Sequence, residues 1–406
     1  MAISVLGSIT LGYELVWNQK RRCAGVRLAV APLAPNVVDA RHLLEALSGL
    51  WPVSAPTLLL HAQSAPLLGD LLEQSPARGV WLEIPDAWLD DAAFAARVRQ
   101  AQQRGWPLVW SGPPGHAPAP HTEAWFHKTL RTLTPHEALD ALRVSLRQRQ
   151  DGGLGSPQAG RSPVLAGCLY QGLASQALVE HALDRQGVWG VAGWPTEEVL
   201  HTYRLRQIQP SRQRIRDLLK ALEADESLEA LEHRMGDEPL LTYRFLRYAN
   251  SAHLGARSEV TSVRQGLMVM GYVQLRTWLL EQITHASDDP NLDPIRSAMV
   301  VRAHTMERLS DAGAEDELRR EVYLCGILSQ LDLLLGEPLG AAIHRLPLPG
   351  RITSAVVGQT GPYAAWQEMA AALESCNTRM ISKVCKALAL PVEAVNRALL
   401  RTLAAL

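Results

Sequence analysis

Thiols, imidazoles, carboxylates and phosphate-cradling glycines do chemistry only at workable spacings, and this chain offers few of them. Its five cysteines, Cys23, Cys168, Cys325, Cys376 and Cys385, are scattered and never spaced as CxxC. That pattern argues against a disulfide framework or a cysteine zinc cluster and for reduced thiols in a cytosol. The glycine-containing segments at Gly236 (GDEP) and Gly358–Pro362 are followed by no Lys-Ser/Thr, so neither is a phosphate loop. Arg204, Arg206, Arg212, Arg214, Arg216 and Lys220 form a basic stretch that could meet phosphates. Glu223, Asp225, Glu226 and Glu229 follow directly and cancel its field. Solvated helix surface or an inter-domain contact is the expected fate of that stretch, not a nucleic-acid interface. The 11 tryptophans, among them Trp51, Trp81, Trp88, Trp106, Trp110 and Trp125, are expected to pack cores.

The elements that would position any site divide into two kinds. A chain of 406 residues with 47% hydrophobic and 20% charged residues is globular and long enough for two domains. A net charge of −1 supplies no global field for nucleic acid or an anionic membrane. The opening MAISVLGSITLGYELVW lacks a basic start and a small-residue cleavage site, and no apolar run is long enough to span a bilayer. A soluble, cytoplasmic protein is expected. In the first half, Thr57–His61, Val80–Ile84, Leu108–Trp110 and Val188–Pro195 read as strands. Helical stretches at Val38–Leu50, Leu67–Glu73 and Asp91–Arg104 alternate with them, which argues for βα units and a parallel sheet. Ser111–Pro120 and Gln150–Pro163 read as loops. After Trp194-Pro195 nearly everything reads as helix.

The segment Asp237–Leu279 has a distinctive order. Asp237 can cap a helix that Pro239 opens, and Asn250-Ser251 can end that helix in a left-handed or turn conformation. A loop containing Gly255 follows, then a helix capped by Ser262; Gly271 separates it from a helix bearing Trp278. This pattern resembles the HDOD signature, carried here by Asp237, Pro239, Asn250, Ser251, Gly271 and Trp278. The resemblance implies an all-helical signalling module related to HD phosphohydrolases. Those enzymes hold metals through a lone His, a His-Asp pair and a later Asp. His304 falls in the segment similar to that of the lone His, and Ser329-Gln330 stand where the pair belongs. A hydroxyl and an amide bind divalent ions poorly, so this site reads as vestigial and His304 as an interface or core histidine.

The first half resembles EAL domains, cyclic di-GMP phosphodiesterases with a TIM-like barrel. Glu14, in GYELV, falls in a segment similar to the family's opening strand, whose Glu binds metal; Glu83, in VWLEI, resembles a second Glu ligand. His61 replaces an expected Asn, and Ser111-Gly112 replace an expected Asp-Asp pair. The resemblance therefore implies a vestigial site; two glutamates could still hold a cation weakly, but they are more simply read as satisfying buried neighbours or facing solvent. The half is shorter than the ~250 residues of a full eight-fold barrel, so a shortened or irregular barrel is expected. The apolar surface it leaves must be covered by the HDOD helices or by a second copy of the chain.

The reading is a degenerate α/β EAL-like (TIM-like) barrel at 1–195, a linker at 196–208 and an all-α HDOD domain at 209–406. The implied function is non-catalytic bacterial signal transduction through protein partners, with no metal and no cofactor. The alternatives are a cyclic-dinucleotide receptor and a residual cyclic di-GMP phosphodiesterase. A nucleotide ligand and a homodimer stay open; a membrane is not expected.

Overall fold

Short apolar strands separated by capped helices escape the edge-strand problem only if the sheet closes on itself. In the computed structural model, which describes residues 4–34, 38–150, 161–251, 259–310 and 315–406, it does. Strands β1 (Ile9–Trp17), β2 (Cys23–Pro32), β3 (Thr57–Ala62), β4 (Val80–Pro85), β5 (Leu108–Ser111), β6 (Lys128–Thr132), β7 (Leu169–Gln171) and β8 (Gly190–Ala192) form a closed barrel in sequence order. β1 runs antiparallel to both neighbours, β2 and β8, and the other pairings are parallel. The length led to the expectation of a shortened or irregular barrel; the barrel is irregular through its antiparallel first strand, not through a missing one. All eight strands are present, several of them only three to five residues long, and economy in the strands and helices replaces loss of a strand.

Helices α1 (Ala40–Leu50), α2 (Ala65–Glu73), α3 (Ala92–Gln103), α4 (Pro135–Gln150) and α5 (Gln176–Glu180) lie between the strands. Local chemistry sets their starts. Asp39 accepts from the backbone N–H groups of Arg41 and His42, and Asp91 from that of Ala93, satisfying donors that a first turn leaves free. Pro66 sits in the first turn of α2, where its missing N–H costs nothing. After α6 (Thr196–His201) every named element among the described residues is a helix.

The chain forms two compact units. One comprises the chain to Glu198 together with Ala372–Leu406, and the other spans Val199–Ala371. The domain expected over 209–406 therefore differs from the compact unit at its C-terminal end. Two helices near that end, α17 (Thr378–Ala387) and α18 (Val392–Leu403), fold with the barrel. The cause is an apolar face: Val395, Ala398, Leu399, Leu400 and Leu403 of α18 are all buried. Asn396, also buried, donates through Nδ2 to the carbonyls of Leu6 and Ile9, both at 2.8 Å.

The second unit contains α7 (Arg212–Glu223), α8 (Leu228–Gly236), α9 (Pro239–Ala249), α10 (Val263–Thr284), α11 (Asp293–Leu309), α12 (Asp316–Leu328), α13 (Leu331–Leu335), α14 (Leu339–Ile343) and α15 (Gly350–Val356); α16 (Ala364–Leu373) follows. Its core includes Leu241, Phe245, Leu246, Leu267, Trp278, Cys325 and Leu328. No helix among the described residues is long and apolar enough to cross a membrane. Gly255 and residues 151–160 of the Gly/Ser/Pro stretch lie outside the described residues.

Candidate functional site

Alternation along a barrel strand sends every second residue to the interior, and those positions stack in layers. One layer is apolar: Val16, Leu59, Val109, Leu130, Leu169 and Ala192 form a cluster, with Trp81 and Trp189 packed against it. Two residues along each strand the layer turns polar: Glu14, His61, Glu83, Ser111, Thr132 and Gln171. On the parallel strands this step runs toward the C-terminal end, and on antiparallel β1 it runs backward, so the polar residues share one mouth of the barrel. Functional groups of such barrels gather at that end.

The centre of the polar layer is Arg27 of β2, which the sequence reading did not single out. Its Nε donates to Glu83 Oε2 at 2.7 Å and its Nη2 to Glu83 Oε1 at 2.8 Å. That two-pronged pairing is the strongest geometry available to a guanidinium and a carboxylate. Nη1 donates to Gln171 Oε1 at 3.0 Å and reaches Glu14 Oε2 at 3.3 Å. Gln171 Nε2 donates in turn to Thr132 Oγ1 at 3.0 Å. His61 Nδ1 lies 3.1 Å from Glu83 Oε1, without hydrogen-bond alignment. Glu83 is only 1% exposed and Arg27 11%, against 30% for Glu14. Burial by itself would raise the Glu83 pKa, but His61 and the Arg27 charge hold it down at about 2. Burial likewise opposes the Arg27 charge, and the Glu83 carboxylate outweighs it and raises the guanidinium above its ordinary value.

The structure thus brings Glu14, His61 and Glu83 together, around a side-chain cation. Ser111 is buried at the end of β5, beside Gly112. A Cβ on Gly112 would fall 2.4 Å from the Trp110 indole, whose Nε1 donates to Asp86 Oδ1 at 2.7 Å. The glycine is therefore a packing requirement of Trp110.

The same mouth meets the C-terminal part of its own unit. A Cβ on Gly12 would fall 2.2 Å from the carbonyl oxygen of Ser375 and 2.5 Å from Ile381 Cδ1. Gln63, just past β3, donates through Nε2 to the Cys376 carbonyl at 2.6 Å, and its Oε1 accepts from Thr378 Oγ1 at 2.5 Å. Burial raises the Cys376 thiol pKa to about 11, with the charges of Arg27, Glu14 and Glu83 also felt there. Residues 375–378 thus lie across the polar layer. Nothing in the local sequence of either segment announces this contact, because its partners are more than 300 positions apart.

In the helical unit, Pro239 opens α9 as expected, but Glu238, not Asp237, is its cap. Glu238 is fully buried; it accepts from the Leu241 N–H, takes the Ser211 N–H at 3.2 Å and lies 3.0 Å from Arg296 Nε. Asp237 instead ends α8, because α8 runs directly into that cap. Asn250 ends α9 with φ −96° and ψ 5°, so the left-handed alternative is not used. Its side chain fixes the corner: Nδ2 donates to the carbonyls of Leu246 and Val260, and Oδ1 accepts from the Val260 N–H, all at 2.8 Å. Ser251 Oγ donates to the Tyr248 carbonyl at 2.7 Å. Ser262 caps α10, and Gly271, with φ 69°, breaks it into two helices in a conformation that only glycine adopts freely. Trp278 packs edge-on against Phe245.

His304 is partly exposed on α11, 3.0 Å through Nδ1 from Glu307 Oε2, and its ring meets His233 and Tyr323. Ser329 Oγ donates to the Gly326 carbonyl, and the Gln330 amide, oriented by its surroundings, accepts from Arg302. Both side chains are engaged with their own neighbours. The basic stretch divides likewise: Arg212 pairs with Asp288 at 2.8 Å, Arg214 lies 3.8 Å from Asp237, and Arg206 sits over the Tyr203 ring.

Comparison with known proteins places an HDOD domain at residues 207–336. The uncharacterized protein YuxH of Bacillus subtilis is 23% identical over 141 residues, covering 34% of this chain and 34% of that protein. The cyclic di-GMP phosphodiesterase CdgJ of Vibrio cholerae is 21% identical over 170 residues, covering 42% of this chain and 39% of its own length. The chain thus matches well under half the length of each relative. Among solved structures, the FimX EAL domain from Pseudomonas aeruginosa bound to c-di-GMP is 13% identical, with a TM-score of 0.30, over 47% of this chain and 90% of that one.

Proposed function

We propose that this chain is a non-catalytic bacterial signalling protein: a degenerate EAL-type barrel joined to an HDOD domain, acting through protein partners. The observation that carries the reading is the Arg27 guanidinium seated between Glu83, Glu14 and Gln171. Hydrolysis of a phosphodiester by two metals needs carboxylates free to hold both ions and a water. Here the buried carboxylate is already neutralised by a side-chain cation. A divalent ion would have to displace Arg27 and leave it buried without a partner, a penalty of about 3–5 kcal/mol. Ser111 and Gly112 supply no replacement charge. The backbone of Ser375 and Cys376 beside the polar layer further supports the reading, since it crowds the approach a nucleotide would need.

A second reading, a receptor that binds a cyclic dinucleotide without cutting it, is favoured by the relative named as a cyclic di-GMP phosphodiesterase. Incubation of the purified chain with cyclic di-GMP, or with a linear dinucleotide, and Mg²⁺ or Mn²⁺ tests both. No turnover above blank is expected, and equilibrium dialysis on the same samples reports binding. Turnover clearly above blank, lost in Glu14→Ala, would overturn the non-catalytic reading.

A further inference from the structure

Three side chains of metal-binding type meet in the helical unit. His233 lies in the last turn of α8, Asp237 ends that helix, and His304 projects from α11. Their candidate ligand atoms all lie within 4.8 Å of one another. We infer that His233, Asp237 and His304 form a binding site for a divalent transition metal, with two imidazole nitrogens and one carboxylate oxygen as ligands. The inference rests on this unit alone and does not depend on the reading of the barrel.

The support around the three residues fits such a site. Glu307 Oε2 sits 3.0 Å from His304 Nδ1, which, donating there, leaves the lone pair on Nε2 for an ion. A carboxylate on the far nitrogen is the usual device for orienting a histidine ligand and raising its basicity. Asp237 is held from both sides: Oδ1 lies 3.7 Å from His233 Nδ1, and Oδ2 lies 3.8 Å from Arg214 Nη1. Arg214 is close enough to orient the carboxylate and too far to saturate it with a hydrogen bond. The Tyr323 ring lies tilted against His304, centroids 4.7 Å apart, and a Cβ on Gly236 would fall 3.2 Å from its hydroxyl oxygen. That hydroxyl is buried and makes no hydrogen bond among the described residues, so a donor stands beside the three ligands for an oxygen on the ion.

The donor set also defines the ion. Two imidazoles and one carboxylate suit Zn²⁺ or a neighbouring divalent metal rather than Mg²⁺ or Ca²⁺, which prefer all-oxygen shells. Bonds of about 2.0–2.2 Å would draw the ligand atoms closer together. The exposed His233 side chain, at 63%, has the freedom to make that move. Three protein ligands leave a fourth position open. His233, His304, Glu307 and Tyr323 all line an 890 Å³ cleft, with Arg308 and Arg320 also on its walls. A water or an anionic group on a small molecule could complete the shell from that cleft. His304 falls in the segment similar to that of the lone His of the HD enzymes, but their histidine–aspartate pair is replaced by Ser329 and Gln330, and the other two ligands proposed here, His233 and Asp237, come from the end of α8 instead.

The test is titration of the full-length protein, stripped with chelator, with Co²⁺ followed by visible absorption, and with Zn²⁺ in competition. About one equivalent of Co²⁺ should bind with ligand-field bands of nitrogen and oxygen coordination, and Zn²⁺ should displace it. His233→Ala and Asp237→Asn should each weaken binding at least tenfold, and Glu307→Gln about tenfold, in the range found when supporting partners of metal ligands are removed. His233→Ala is decisive because that side chain is exposed, and an unchanged circular dichroism melt confirms that its fold is intact. The inference is overturned if the wild-type chain binds neither metal at millimolar concentration, or if His233→Ala binds as wild type. Intense thiolate charge-transfer bands would overturn it too, by assigning the metal to cysteines.

Discussion

Replacing Arg27 by methionine tests the polar layer most directly. Methionine keeps much of the volume, so the cost comes from charge rather than from a cavity. The substitution removes both hydrogen bonds to Glu83 and those to Gln171 and Glu14, leaving Glu83 at 1% exposure with only the His61 contact. Breaking a buried pair from one side costs about 3–5 kcal/mol. At roughly 2–4 °C per kcal/mol for a unit of this size, the barrel's thermal transition should fall by roughly 6–20 °C. The pH dependence should also change sign. In the wild type, Glu83 is held at about 2, below its ordinary 4.5. Its contribution is therefore fully present above that ordinary value and is lost as pH falls from 4.5 toward 2. In Arg27→Met, burial prevails and raises the carboxyl. The variant's deficit should then be largest near neutral pH and shrink as the medium is acidified and Glu83 protonates. Glu83→Gln added to Arg27→Met should restore most of the loss, because it removes the unpaired charge. Circular dichroism melts of the wild type, both single variants and the double variant, at pH 7 and in mild acid, measure all of this. A single variant that melts with the wild type, or a double variant no more stable than Arg27→Met, would refute the reasoning.

Two further outcomes follow from close contacts. Asn250→Val should cost about 1–3 kcal/mol by urea unfolding, and Asn250→Gly a similar amount, because the lost side-chain bonds to Leu246 and Val260 dominate. A fully stable glycine variant would show that backbone conformation alone matters there. Gly12→Ala should destabilise the barrel unit by about 1–3 kcal/mol, since the new methyl meets the Ser375 carbonyl, which as backbone cannot rotate away. A melt unchanged from wild type would show that residues 375–378 are held more loosely than their contacts imply.

Much of the architecture was legible because it is local. The expected strands at Thr57–His61, Val80–Ile84 and Leu108–Trp110 fall on β3, β4 and β5, and the helices between them are found within two residues or so of their expected bounds. Ser262 and Gly271 act as their types suggest. Three strands escaped notice for physical reasons. β6 and β7 are too short to show a period, and β2 is a mixed run whose charged residue, Arg27, reads as surface until a barrel closes around it. An arginine alone in an otherwise apolar, alternating strand was the available signal. His233 could not be joined to His304 from sequence, since they lie on separate helices about 70 positions apart and form no short motif. Asp237 was assigned to the wrong helix end because two adjacent acidic residues stand at one corner, and only burial tells which of them turns inward to cap.

The return of α17 and α18 to the barrel has a consequence for how the chain is made. Asn396 bonds to the carbonyls of Leu6 and Ile9 across nearly 390 positions. During synthesis, the strands emerge first and the helical unit next, and the residues that cover β1 come only afterward. The helical unit can fold as its own residues leave the ribosome, whereas the barrel must wait, its first strand uncovered, for a segment not yet made. Contacts this distant in sequence carry a large closure entropy and slow the search for the native state. Chaperone dependence should therefore concentrate in the barrel rather than in the helical unit.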